Sequence, residues 1–233
     1  PEPDAFTAAK SEGRTLLLEP EARALLEPFD VPLVPATLCR TPADAGAAAH
    51  SYDGNVAIRV VSPAAPHKTE AGGVALDIAA GAAADTTARV FDSVRRWAEE
   101  RAVEADIRGV LVSPMLPRPA AELIVGFRRD PQFGPVLTVG AGGTDVEWLH
   151  DVAIRVLPVS AAEVGEMLDE LRMAPVLRGY RGARGVHRET LVRCILGIAA
   201  CALAHPAIAE MEVNPLFAYD DRAMAVDVRV FLG

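Results

Sequence analysis

Two groups of residues in this sequence have the types and spacing for chemistry on a phosphate. The first lies in residues 56–78 (VAIRVVSPAAPHKTEAGGVALDI), where an apolar run rich in Val and Ile leads into a loop carrying His67, Lys68 and the pair Gly72-Gly73. The run predicts a buried strand that Pro63 and Pro66 terminate, and the two glycines let backbone approach a ligand where a Cβ would clash. Cationic side chains and free N–H groups facing one another across a turn suit a polyphosphate; an ordinary solvated turn is the other reading. The second group lies near the C-terminus. Glu212 and Asn214 stand two apart on an expected strand and so share a face, and a turn at Asp220-Asp221 brings Asp227 back beside them. Three hard oxygen donors suit Mg²⁺ that keeps waters and shares phosphate oxygens, whereas Zn²⁺ would want His or Cys. Carboxylates in otherwise apolar strands are costly to bury unpaired. The competing reading is that these residues cap a turn or pair with Arg229.

The elements that position them read as helix and strand in alternation, then as a strand-rich second half. The first dozen residues have no periodicity and predict a loose arm. Residues 19–27 (EPEARALLE) predict a short helix with Pro20 in its first turn, and VPLVPATLC an extended edge segment. Thr41 caps a second helix that begins with Pro42 and reaches about Tyr52. Residues 85–101 place Val90, Phe91, Val94, Trp97 and Ala98 at helical spacing, an amphipathic helix for one face of a sheet. From Ile107 onward RGVLVSPML, AELIVGFRR, GPVLTVGAGG and DVAIRVLP predict a mostly antiparallel sheet. Helices are expected over 160–172 and 186–204. The basic, glycine-rich APVLRGYRGARG joins them, with Arg178, Tyr180 and Arg181 facing a partner or forming a plain connector. The division that follows is an arm at 1–14, one lobe at 15–106 and a second at 107–233.

Composition narrows the classes. The chain has 233 residues, 51% hydrophobic, with no apolar run long enough for a bilayer. A formal charge of −9 argues against nucleic acid, whose binders need surplus Lys and Arg to displace counterions. Cys39, Cys194 and Cys201 form no metal or redox spacing, and no secretory pattern opens the chain, so a soluble protein in a reducing cytoplasm is expected. His50, His150, His187 and His205 belong to no motif and are expected at the surface. There is no G-x-S-x-G elbow or HExxH, which removes serine hydrolase and zinc protease readings.

Taken together, SPxxxHKTExGGV (62–74), VLVSPM (110–115), ELIVGFRRDPQFGPVLTVGAGG (122–143), LRGYRG (177–182), EVNPL (212–216) and AVDVR (225–229) resemble, in this order, the ATP-grasp subunit or domain of nucleoside-diphosphate-forming acyl-CoA synthetases, relatives of succinyl-CoA synthetase. The resemblance runs from about Thr15 to the end. It implies an α/β (α+β) chain with the ATP-grasp fold, two α/β lobes and a nucleotide cleft between them. It also implies an ADP-forming acid–CoA ligase that interconverts acid, CoA and ATP with acyl-CoA, ADP and phosphate.

The resemblance assigns roles residue by residue. Arg59 stands where the family has a lysine on the nucleotide phosphates, and Lys68 belongs to the same basic loop. Ser113 and Met115 line the adenine pocket, and Glu122 lies near the ribose. Asn214 and Asp227 match the Mg²⁺ ligands, with Glu212 a third. His67 matches a histidine that takes a phosphoryl group from a partner's phosphohistidine loop and passes it to ADP, a nucleophilic role suited to a neutral imidazole. The cofactors implied are ATP or ADP with Mg²⁺, and the partner a CoA-binding α-type subunit or fused domain, so that the chain works in a hetero-oligomer or as part of a larger chain. GAGG at 140–143 fits neither the P-loop nor the Rossmann spacing and is assigned close packing. Arg59 exchanges a compact ammonium for a planar fork, which is not a conservative change on a phosphate. It motivates an alternative, a regulatory ATP-grasp domain without turnover, as in fusions to a protein acetyltransferase. A carboxylate–amine ligase would leave HKTExGGV unexplained.

Overall fold

The computed structural model describes residues 4–142, 151–180, 182 and 184–233. The chain forms two compact units, Val34–Pro117 and the combination of Pro1–Leu33 with Arg118–Gly233. The N-terminal segment is not a loose arm. Asp4 accepts a hydrogen bond from the Thr7 amide at 2.9 Å and starts helix α1 (Ala5–Ser11), whose Ala9 is fully buried in the core of the larger unit. Helix α2 (Glu19–Leu26) follows, and the Glu21 carboxylate in its first turn accepts both Nη atoms of Arg14 at 2.8 Å and the Leu18 amide at 2.7 Å. Between the helices the chain runs along the C-terminal strand: Leu17 donates to the Val230 carbonyl at 3.0 Å, and Leu232 to the Thr15 carbonyl at 2.8 Å.

The smaller unit is an antiparallel sheet of order β1-β4-β2-β3, made of β1 (Thr37–Cys39), β2 (Val56–Val61), β3 (Val74–Ile78) and β4 (Gly109–Pro114). Two helices, α3 (Pro42–Ala49) and α4 (Ala83–Glu99), cover one face. Val56, Ile58, Val60, Val110 and Val112 form the core there with Ala45, Ala49, Val90, Phe91 and Val94. A reciprocal capping box fixes the start of α3, with the Asp44 amide on Thr41 Oγ1 and the Thr41 amide on Asp44 Oδ2, both at 3.1 Å. The boundary expected at 106/107 falls instead at 117/118, because β4 pairs with β2 from Val56 opposite Pro114 to Val61 opposite Gly109. Cross-strand pairing across fifty residues of sequence is set by tertiary packing, which local patterns do not encode.

The larger unit carries the second sheet, of order β10-β8-β5-β6-β7 with β9 also on β8. Its strands are β5 (Ala121–Asp130), β6 (Gly134–Ala141), β7 (Val152–Val156), β8 (Ile208–Ala218), β9 (Ala223–Ala225) and β10 (Val228–Leu232). All the pairings between these named strands are antiparallel, as the strand-rich second half predicts. Among the described residues three further helices belong to this unit: α5 (Ala161–Glu170), α6 (Ala174–Arg178) and α7 (Arg188–Ala204). Ser160 and Glu163 form the capping box of α5, whose Val164, Met167 and Leu168 are fully buried. Helix α7 buries Leu191, Ile195, Ile198 and Ala202 as its 3.6-residue period requires. Strand alternation sends Leu123, Val125, Phe127, Met211, Val213, Val228 and Val230 into this core, leaving Glu122, Ile124, Gly126 and Arg128 of β5 and Glu210, Glu212 and Asn214 of β8 on an outer face; past a register shift in the β5–β8 ladder, Leu216 and Ala218 turn to the core. Among the described residues no helix is long and apolar enough to cross a membrane.

Candidate nucleotide and metal site

In the smaller unit, β2 delivers Arg59 and β4 delivers Ser113. Arg59 is 4% and Ser113 1% exposed, and Nη1 of Arg59 donates to Oγ of Ser113 at 3.1 Å. Their strands pair with Ala57 opposite Ser113, so the guanidinium reaches diagonally to the neighbouring strand. Met115, just past β4, is more than a third exposed, and its amide donates to the Asn55 carbonyl at 2.9 Å. The loop after β2 presents an exposed His67 beside a buried Lys68. Its glycines differ from expectation. The Gly72 amide donates to the Thr69 carbonyl at 3.1 Å and the Gly73 amide to the Lys68 carbonyl at 2.7 Å, so these N–H groups close the turn and are not free for a phosphate. Gly72 has a φ of +64°, and a Cβ on Gly73 would lie 2.4 Å from Val60 Cγ1. The pair serves chain geometry, and an anion here would meet side chains.

In the larger unit, β8 and the entry to β10 assemble the oxygen donors. Glu212 and Asn214 lie on the outer face of β8, on either side of the core residue Val213. The Asn214 amide donates to the Asp227 carbonyl at 3.1 Å, which sets the two residues opposite one another, and Val228 opposite Val213 continues the register. Glu212 stands opposite Arg229 and is ion-paired with it, the outcome that the competing reading named for this residue. Among the described residues no three His, Cys, Asp or Glu side chains come together as a cage for a metal. A carboxylate and an amide oxygen, partly buried and adjacent, are a donor set for a hard dication that completes its shell with water and phosphate. Glu122, at the start of β5, is partly buried opposite Phe217, and its carbonyl accepts the Gly142 amide at 2.7 Å. Its charge helps raise the pKa of the Tyr219 hydroxyl, which burial raises most, Arg222 opposes and Asp221 reinforces. Arg59, His67, Lys68, Ser113 and Met115 thus share one unit, and Glu122, Glu212, Asn214 and Asp227 the other.

Several residues set aside in the sequence have structural places. A Cβ on Gly140 would sit 2.9 Å from the Asp151 carbonyl oxygen, and one on Gly142 2.7 Å from the Leu123 carbonyl carbon, so both glycines serve close packing; Gly143 lies outside the described residues. His50 and His187 are exposed, and His150 is outside the described residues. His205 is not a surface residue: it is partly buried, stacked on Phe6, edge-on to Phe29, with Nδ1 2.8 Å from the Cys201 carbonyl. The three cysteines are buried, and burial pushes the Cys194 and Cys201 thiols up to about 12. Of the basic connector, Tyr180 is exposed and Arg178 binds Asp169 at 2.7 Å, while Arg181 lies outside the described residues. In the sequence Arg229 stands two residues after Asp227, a spacing that puts both on one side of an extended segment and marks Arg229 as more than a partner for Glu212.

The fold agrees with what the comparisons find. A family model described as the ATP-grasp domain matches residues 8–232, and the chain belongs to that family. Within it the chain is a β-subunit-like member of the ADP-forming acid–CoA ligases. It is 39% identical over 225 residues to the β subunit of ADP-forming acetate–CoA ligase I from Pyrococcus furiosus, covering 96% of this chain and 94% of that one. It is 34% identical to ADP-forming acetate–CoA ligase I of Archaeoglobus fulgidus, covering 91% of this chain but only 30% of that longer one. Among solved structures, acetyl-coenzyme A synthetase 1 of Candidatus Korarchaeum cryptofilum in complex with coenzyme A and Ca-AMPCP superposes with a TM-score of 0.90 at 31% identity, covering 99% of both chains. A second structure of that protein, with a phosphorylated phosphohistidine segment, gives 0.84 at 29% identity, again covering 99% of both chains.

Proposed function

We propose that this chain binds the Mg²⁺ complex of ADP or ATP and carries the phosphoryl-transfer half of an ADP-forming acyl-CoA synthetase. The observation that carries the reading is the junction of Asn214 and Asp227, two oxygen donors locked opposite one another on one sheet face within a chain of this family. In this reading Asn214 and Asp227 hold Mg²⁺, which supplies charge neutralisation for the β- and γ-phosphates. Arg59 and Lys68 add positive charge, and Arg59 is aimed by its bond to Ser113. Met115 and Ser113 border the base, and Glu122 the ribose. Exposed on its loop, His67 takes the phosphoryl group: an imidazole nitrogen attacks phosphorus, and the N–P bond forms as the bond to the donor's oxygen or nitrogen breaks; a β-phosphate oxygen of ADP then attacks that phosphorus, and the O–P bond forms as the N–P bond to His67 breaks.

A CoA-binding α-type partner is part of this proposal. The Pyrococcus relative is named as a β subunit, and the single-chain Archaeoglobus ligase is about three times as long as the region it shares with this chain. The three buried thiols fit a reducing, cytoplasmic setting. Incubation of the intact chain with Mg²⁺ and γ-³²P-labelled ATP tests the reading: an acid-labile, base-stable label is expected and is lost in His67→Asn. Nucleotide binding with no label in the presence of a partner subunit would favour the regulatory domain that Arg59 suggests. Absence of nucleotide binding would reject the enzyme reading and leave the regulatory domain.

A further inference from the structure

Gly126 occupies the middle of β5, where a glycine weakens a strand and has a place only at a bulge, a bend or a close approach. It is in register on both sides, opposite Thr138 on β6 and Glu212 on β8, and its φ is not positive. Packing does not demand it either. A Cβ built there meets, within 4 Å, only Thr138 Cβ at an ordinary 3.7 Å, in contrast to Gly140 and Gly142, where a Cβ falls within 3 Å of backbone. Gly126 therefore opens a gap in the outer face of the sheet. One strand over, Glu212 borders that gap, and Arg229 on β10 is ion-paired with Glu212 on its far side. Asn214 lies two positions along β8, about 7 Å from Glu212 on the same face.

We propose that Gly126 is the floor of the track for the nucleotide's di- or triphosphate, with Arg229 as the cation beside it and Glu212 as the residue that positions Arg229 rather than as a metal ligand. This rests on the nucleotide reading and assigns the phosphates a path over the larger sheet. A Glu212 carboxylate engaged by a guanidinium loses appeal for Mg²⁺, and the same ion pair spares Arg229 the cost of an uncompensated charge before the anion arrives. The absent side chain leaves room for phosphate oxygens between Glu212 and Thr138, next to the Asn214–Asp227 donors.

The test is a calorimetric titration of the intact protein with Mg·ADP and, separately, with adenosine, alongside thermal melts. Gly126→Val should melt at or above the parent temperature, since a β-branched residue favours a strand, yet bind Mg·ADP at least about tenfold more weakly. Gly126→Ala should give a smaller loss, and adenosine affinity should be unchanged in both. Arg229→Ala should weaken Mg·ADP but not adenosine, Arg229→Lys should recover part of the loss, and Glu212→Gln should retain Mn²⁺ affinity where Asp227→Asn loses it. A folded Gly126→Val protein with parental Mg·ADP affinity, or equal weakening of adenosine and ADP, overturns the proposal. Should Gly126→Val fail to fold, the Gly126→Ala and Arg229 variants decide it by the same readouts. No binding by the parent protein would instead reject the nucleotide reading itself.

Discussion

Arg59 and Ser113 meet across two strands of the smaller unit, the Nη1 of one donating to the Oγ of the other at 3.1 Å, with both side chains almost entirely buried. A guanidinium so placed has one fixed direction. The planar fork at position 59 is thus held by a hydroxyl that a longer side chain at position 113 would not provide in the same place.

Ser113→Ala removes the acceptor and leaves a buried N–H of a charged group without it. A loss of about 1.5–3 kcal/mol in a urea melt is expected, together with weaker Mg·ADP binding. Ser113→Thr, which keeps the hydroxyl, should restore most of the affinity; an unaffected Ser113→Ala protein would remove Ser113 from the positioning role.

Gly197→Ala sets helix propensity against packing. In a helix interior this change ordinarily gains about 1 kcal/mol. At this site on α7 the new Cβ would lie 2.4 Å from the Phe29 carbonyl oxygen and 2.9 Å from Val31 Cγ2. The clash decides the sign, and a destabilisation of about 1–3 kcal/mol is expected by denaturant titration.

Cys194 titrates well above the usual thiol range while the chain is folded. Burial pushes its thiol from 9.0 up to about 12. A raised folded-state pKa leaves stability whole below the ordinary value and erodes it as pH rises from about 9 toward 12. Cys194→Ala should flatten part of that alkaline decline, with Cys201 and Cys39 contributing in the same direction. In the native protein at pH 8, alkylation of Cys194 should be slow and should accelerate in urea.

His67 is exposed in its loop, so His67→Asn should leave the melting temperature within about a degree while abolishing the phosphoryl label from ATP. Retention of Mg·ADP binding by that variant is part of the expectation. Loss of binding would make His67 a nucleotide contact instead of a phosphoryl acceptor.

Local chemistry was legible in the sequence and long-range pairing was not. Thr41 announced a helix start because a cap is complete within four residues, here with the Asp44 amide on its hydroxyl, and Ser160 begins the helix expected from 160 in the same way. The apolar periods of α4, α5 and α7 told which faces would be buried. By contrast, β4 reads locally like the strands after it, and only its ladder with β2 assigns it to the smaller unit. The same holds for Thr15 and Leu17, whose hydrogen bonds to β10 span the length of the chain. For the candidate site, alternation was enough to bring Asn214 and Asp227 together. It did not choose between a metal and Arg229 for Glu212, because a charge opposite a carboxylate and a metal beside it share one sequence pattern. In the 62–74 loop, glycine content suggested free amides, but carbonyl groups of the turn itself take up those of Gly72 and Gly73.

The most direct test of the central claim is a calorimetric titration of Mg·ADP into the intact protein and into Asp227→Asn. Saturable binding of one nucleotide per parent chain, lost in Asp227→Asn and retained for adenosine, is the predicted result. Equal Mg·ADP affinity in the two proteins, or no Mg·ADP binding by the parent, would contradict it.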